Sequence, residues 1–112
     1  MTFYRLDEHG EPVACRDVLE WAIWFETADR AVAQDRIGRV YVSTVFLGLE
    51  YPEFGGGSTL FETMIFGGPL DGSCERYRTR REALAGHARL VAAVRQTHQD
   101  DPHDDDPDGA AP

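Results

Sequence analysis

The chain contains no lysine, and all eleven of its basic side chains are arginine. Cysteine is nearly absent too. Cys15 and Cys74 form neither a C-x-x-C pair nor a metal-ligand spacing. That leaves no basis for a disulfide scaffold or a zinc cluster, and both are read as reduced thiols of a cytoplasmic protein. No run approaches the roughly 20 apolar residues that cross a bilayer, so no membrane association is expected. The opening MTFYRLDEHG has neither the basic nor the apolar region of a secretory leader, so none is expected.

Positive charge is scarce, and its distribution is uneven. Twenty acidic residues against eleven arginines give a formal net charge of −9 over 112 residues. Residues 97–112 carry six aspartates and no arginine, whereas residues 63–96 carry six arginines against three acids. Affinity for nucleic acid depends on neutralising phosphates, so this balance argues against a general nucleic-acid binder and favours basic partners. The length suits one domain with its own hydrophobic core.

What is present reads as strands with two helices. Thr2–Leu6 is a short strand, Asp7–Pro12 carries turn chemistry, and Val13-Ala14 can return as a second arm. Val18, Trp21, Ala22 and Phe25 recur at i, i+3, i+4 and i+7, which predicts a helix over about residues 16–27, with Asp17 in its first turn. The run from Ala31 to Ile37 leads through Gly38 to Arg39–Leu47. This second run is β-branched, aromatic and apolar on both faces, as a central strand requires.

Glu50–Ser58 reads as a loop, Thr59–Phe66 as a strand, Gly67–Gly72 as a turn and Arg76–Arg78 as a last short strand. Thr79-Arg80-Arg81-Glu82 matches a capping box. A helix to about Gln96 follows, with Leu84, His87, Val91 and Val94 on one stripe. The expected architecture is α+β, a mostly antiparallel sheet of four to six strands with two helices over residues 1–96. Residues 97–112 hold too little apolar surface to offset their ordering entropy and are expected to form a disordered acidic tail.

The strings Val42–Leu49, Leu60–Gly68, Tyr77-Arg78-Thr79 and Glu82–His87 resemble a group of small proteins encoded in phages, prophages and bacterial genomes. The resemblance covers about residues 2–96. It implies an accessory gene of a mobile element and assigns no activity and no catalytic residue.

Candidate sites are few. Gly55-Gly56-Gly57 lacks the lysine and the following helix of a phosphate-binding loop. His87 lies on an apolar helix face, where a histidine is usually a core residue with a hydrogen-bond partner. Glu62 is the one charge in its strand. If Leu60, Met64 and Phe66 face the core with it, it needs a partner, His87 or an arginine. If Phe61, Thr63 and Ile65 face the core instead, Glu62 is a solvated sheet residue. Arg76, Arg78, Arg80 and Arg81 surround Tyr77 at a helix start, which suits an anion or an acidic partner. Trp24 falls on the polar side of the first helix and is a candidate contact residue. Asp104, Asp106 and Asp108 repeat half of a calcium loop near His98 and His103, but no flanking helices or closing Glu follow, so no metal or cofactor is expected.

Three readings of function follow. The first is a non-catalytic interaction protein of a phage or mobile element that binds and inhibits or modulates a host protein. An inhibitor of host defence such as an anti-CRISPR is one concrete form, and a homodimer is left open. The second is a nucleic-acid or phosphate-ligand module built on Arg76–Arg81. The third is a small enzyme using Glu62 and His87. The first is preferred.

Overall fold

Asp7 closes the first turn of the chain. Its carboxylate accepts the backbone N–H groups of His9 and Glu11 at 2.8 and 2.9 Å. This local closure lets β1 (Phe3–Leu6) and β2 (Pro12–Cys15) pair from Leu6↔Pro12 to Phe3↔Cys15. The computed structural model describes residues 2–53 and 57–100.

α1 (Val18–Thr27) follows, and Asp17 is its N-cap rather than a first-turn residue. The Asp17 carboxylate accepts from the N–H groups of Leu19 and Glu20 at 2.9 and 3.3 Å, satisfying two donors that a helix start leaves open. The helix docks on a different stripe from the one its spacing suggests. Val18 and Ala22 are exposed, whereas Trp21, Trp24 and Phe25 are half-buried. The aromatic rings decide the rotation, because each removes far more apolar area from water than valine or alanine does. Trp21 lies against Phe3 and Phe25 with ring centroids 4.7 Å apart in each case, and its indole N–H donates to the Tyr4 carbonyl at 2.8 Å.

β3 (Ala31–Ile37) and β4 (Val40–Glu53) form a hairpin with Gly38 and Arg39 between them. Gly38 has φ +60° and Arg39 has no positive φ, the pattern of a type II′ turn. β4 pairs with β3, with β5 (Gly57–Phe66) and, at Leu49, with Phe3 of β1. β6 (Cys74–Tyr77) adds to β5. The sheet order is β2-β1-β4-β5-β6 with β3 alongside β4, and every pairing is antiparallel. The β4–β5 pair extends into the segment read as a loop, to Glu53↔Gly57. Residues 54–56, with Gly55 and Gly56 of the glycine run, lie outside the described residues.

Alternation places Val40, Val42, Thr44 and Phe46 of β4 on one face with Phe61, Thr63 and Ile65 of β5, and all seven are buried. α2 (Arg80–Asp100) covers that face. The Thr79 hydroxyl accepts the Glu82 N–H at 3.1 Å, and the Glu82 carboxylate accepts the Arg78 N–H at 3.1 Å. This is a capping box whose return bond sits one residue further out than usual.

Ala83, Gly86, His87, Val91 and Val94 face the sheet, while Leu84, expected on the stripe, is exposed. Gly86 is at the contact because the Tyr77 ring lies where a Cβ would project. α2 runs to Asp100, four residues into the expected tail. The remainder of that tail, residues 101–112, lies outside the described residues.

The architecture is α+β, with α2 on the buried face of an antiparallel sheet and α1 packed against β1. α1 reaches that face through Trp24, which meets Phe46 edge-on at a centroid distance of 6.0 Å. The opposite face presents Tyr41, Ser43, Val45, Glu62, Met64 and Phe66, all half-buried or exposed. No helix among the described residues is long and apolar enough to cross a membrane.

Candidate functional site

A histidine fixed between a helix and a sheet must place both ring nitrogens. His87 projects from α2 onto the cross-strand pair Thr44↔Thr63. Its Nδ1 is 2.7 Å from the Thr44 hydroxyl, which in turn is hydrogen-bonded to the Thr63 hydroxyl. Its Nε2 is 2.8 Å from Oδ2 of Asp35 on β3. A carboxylate only accepts, so Nε2 carries a proton and donates to Asp35. With neutral imidazole the remaining donations run Thr63 to Thr44 to Nδ1, and every polar atom in the chain is served.

Hydroxyl, imidazole and carboxylate in this order have the connectivity of a nucleophilic triad. The exposure decides what the arrangement can do here. Thr44 and Thr63 are 0 % exposed and His87 5 %, so the hydroxyl that would attack lies beneath α2, away from any substrate. The network holds α2 in register on the sheet. Among the described residues, no group of three or more His, Cys, Asp or Glu side chains is arranged to hold a metal ion.

The proposed Glu62–His87 pair does not form. Phe61, Thr63 and Ile65 take the core side of β5, so Glu62 points to the opposite face from His87. There its carboxylate accepts from Arg76 Nε at 3.0 Å and from the Cys74 thiol at 3.2 Å. Burial, followed by the adjoining carboxylate, pushes the Cys74 thiol above its ordinary pKa.

Arg76 and Arg80, on either side of Tyr77, have different partners. Arg76 lies on the open sheet face with Glu62, and Tyr77 turns inward beneath α2. The Tyr77 hydroxyl donates to Glu75, which also binds Arg89 at 2.6 Å. Arg80 leans over the β1–β2 turn, with its guanidinium 3.5 Å from the Gly10 carbonyl. Arg78 and Arg81 are exposed. Trp24, expected on the polar side of α1, is half-buried against Phe46.

Two features escaped sequence reasoning. Asp35 lies at period two with Ala33 and Ile37, an acid on an otherwise apolar strand face, and that alternation was the available signal. The other is the outer face of α1. Leu19 and Ile23, one turn apart, are 68 % and 66 % exposed, and Val18 beside them is 53 % exposed. The helix has Val18, Leu19, Trp21, Ala22, Ile23, Trp24 and Phe25, more apolar residues than one stripe can bury. Beside Ile23 and Trp24 a hollow of about 430 Å³ opens toward Arg5, Cys15 and Glu20.

No protein-family model matches the chain, and neither the curated proteins nor the solved structures include a match.

Proposed function

We propose that this protein is a non-catalytic binding module that engages a protein partner through the outer face of α1. The exposed Leu19–Ile23 pair carries this reading. Large aliphatic side chains on successive turns of a ten-residue helix without a fully buried residue are costly in water. Such a patch is accounted for by a partner that covers it. α1 contains Glu20 and Glu26 and no basic residue, so the complementary surface is an apolar groove with a basic rim. The resemblance to small phage and prophage proteins makes a host protein the natural class of partner, with modulation or inhibition as the consequence of occupying its surface. Arg76 is held by Glu62 and Arg80 reaches the β1–β2 turn, which favours this reading over one in which the arginine cluster binds nucleic acid.

The test is affinity capture from host lysate, treated with nuclease, at about 0.3 M salt, where phosphate contacts are weak. A stoichiometric protein partner is expected with the native chain and is lost when Leu19→Asp and Ile23→Asp are combined. The circular dichroism and unfolding midpoint of the double variant stay native. Retention of the partner by the double variant, or recovery of nucleic acid alone, overturns the reading.

A further inference from the structure

A strand at the edge of a sheet offers a row of backbone donors and acceptors to a further strand. Among the described residues β3 pairs with β4 alone. The two-residue turn makes Ile37 and Val40 a hydrogen-bonding pair. Counting back in twos, Asp35 also faces β4, and the backbone N–H and C=O of Gln34 point outward.

β3 runs in the same direction as α2, since Asp35 meets His87 while Ile37 packs with Val91 and Val94. Between that edge and the helix lies a groove of about 510 Å³. Ala88, Val91 and Ala92 line its middle, Asp35 stands at one end and Arg95 at the other. Arg95 is exposed and makes no ion pair among the described residues. Asp35 gives Oδ2 to His87, yet its side chain is 49 % exposed and keeps acceptor capacity for an incoming cation.

The groove therefore has a charge direction and a length. The eight residue steps of helix from His87 to Arg95 rise about 12 Å. Side chains i, i+2 and i+4 of an extended strand share one face over about 13 Å. We propose that this groove takes an extended segment of a partner protein as an added strand antiparallel to β3, reading acidic–x–apolar–x–basic. The acid meets Arg95, the apolar residue lies on Ala88, Val91 and Ala92, and the base meets Asp35. The antiparallel direction continues the pairing used throughout the sheet.

This is strand addition with side-chain pockets supplied by a flanking helix, on a surface separate from the α1 face. Two other occupants fit less well. Residues 101–112 contain three prolines and no aliphatic side chain larger than alanine. A second copy would bring Ala33, Asp35 and Ile37 on that strand face, with no base for Asp35.

The test is a titration of the isotope-labelled full chain, read by backbone amide resonances, with the blocked heptapeptide Thr-Glu-Thr-Val-Thr-Lys-Thr. A second peptide replaces its Glu by Lys. Saturable shifts confined to residues 33–37 and 88–96 are expected, with the first peptide the tighter. Arg95→Glu, an exposed change outside the core, should weaken the first peptide about tenfold and make the Lys-Lys peptide the tighter one. The proposal falls if no saturable shift occurs up to millimolar peptide, if the shifts map elsewhere, or if Arg95→Glu changes neither affinity. Shifts at β3 that depend on protein concentration without peptide assign the edge to a second copy instead. The Leu19→Asp, Ile23→Asp double variant should bind the peptide normally, which separates this site from the α1 reading.

Discussion

His87 and Asp35 stand 52 residues apart in sequence and 2.8 Å apart in space, Nε2 against Oδ2. The pair is unequal in burial, with side-chain exposures of 6 % and 49 %. The two ends should therefore respond differently to mutation. Removing the imidazole leaves the Thr44 hydroxyl without its partner in a sealed site and leaves a void under α2. His87→Ala is expected to cost about 2–4 kcal/mol in urea denaturation. Asp35→Asn keeps an acceptor facing Nε2 and remains half in water, so it should cost about 1 kcal/mol. Equal losses for the two would mean that the His87–Asp35 hydrogen bond, and not the buried hydroxyl chain, secures the helix.

Gly86 and Tyr77 form another close contact between α2 and the sheet. In an open helix glycine is about 1 kcal/mol worse than alanine. Here a Cβ would run into the Tyr77 ring, so Gly86→Ala should destabilise by about 1–3 kcal/mol, as overpacking does. The same substitution in a Tyr77→Ala background should become neutral or stabilising, because the obstruction has gone and only helix propensity remains. A double-mutant cycle by thermal or urea unfolding measures the coupling. Additive effects would refute a direct contact.

The elements that sequence patterns disclosed are those whose signals are local. Thr79 and Glu82 cap α2 because a capping box is a statement about neighbouring residues. β4 is central because both of its faces are apolar. The class and order of elements follow from such signals. The partner of His87 did not, since it required knowing that β3 pairs beside β4 and runs along α2, a long-range fact. Glu62 was legible only as two alternatives, because alternation defines two faces without saying which one the helix covers. In α1 the pattern itself was ambiguous. Seven apolar residues fit several stripes, and the position of Gly48 under Phe25 and Trp21 decides among them.

Asp7 gives a pH response with a definite sign. Hydrogen bonds from the Glu11 and His9 backbone N–H groups hold its carboxyl below the ordinary carboxylate range. A depressed folded-state pKa stabilises the turn at pH above the unfolded value, and that contribution is lost as pH falls through the folded value. The amide resonances of His9 and Glu11 should therefore move together on acidification, with a midpoint below that of a free aspartate. Asp7→Asn should abolish that titration while leaving the β1–β2 pairing intact near neutral pH. A midpoint at or above the free value would show that the turn does not bind the ionised form.

Cys74 tests the charge arrangement on the open sheet face. An exposed cysteine is ordinarily the easier one to alkylate, because reactivity follows thiolate content and access. At Cys74 partial burial and the Glu62 carboxylate both disfavour the thiolate, and Arg76 only partly offsets them. Glu62→Gln removes the opposing charge and keeps the side-chain shape, so alkylation of Cys74 at pH 8 should accelerate about two- to fivefold. Arg76→Gln should slow it, since the remaining charge beside the sulfur is then negative alone. Peptide mass mapping after short exposure to iodoacetamide separates Cys74 from Cys15. If both substitutions shift the rate in the same direction, access rather than charge governs the thiol, and the Glu62–Arg76 pair is not what sets its reactivity.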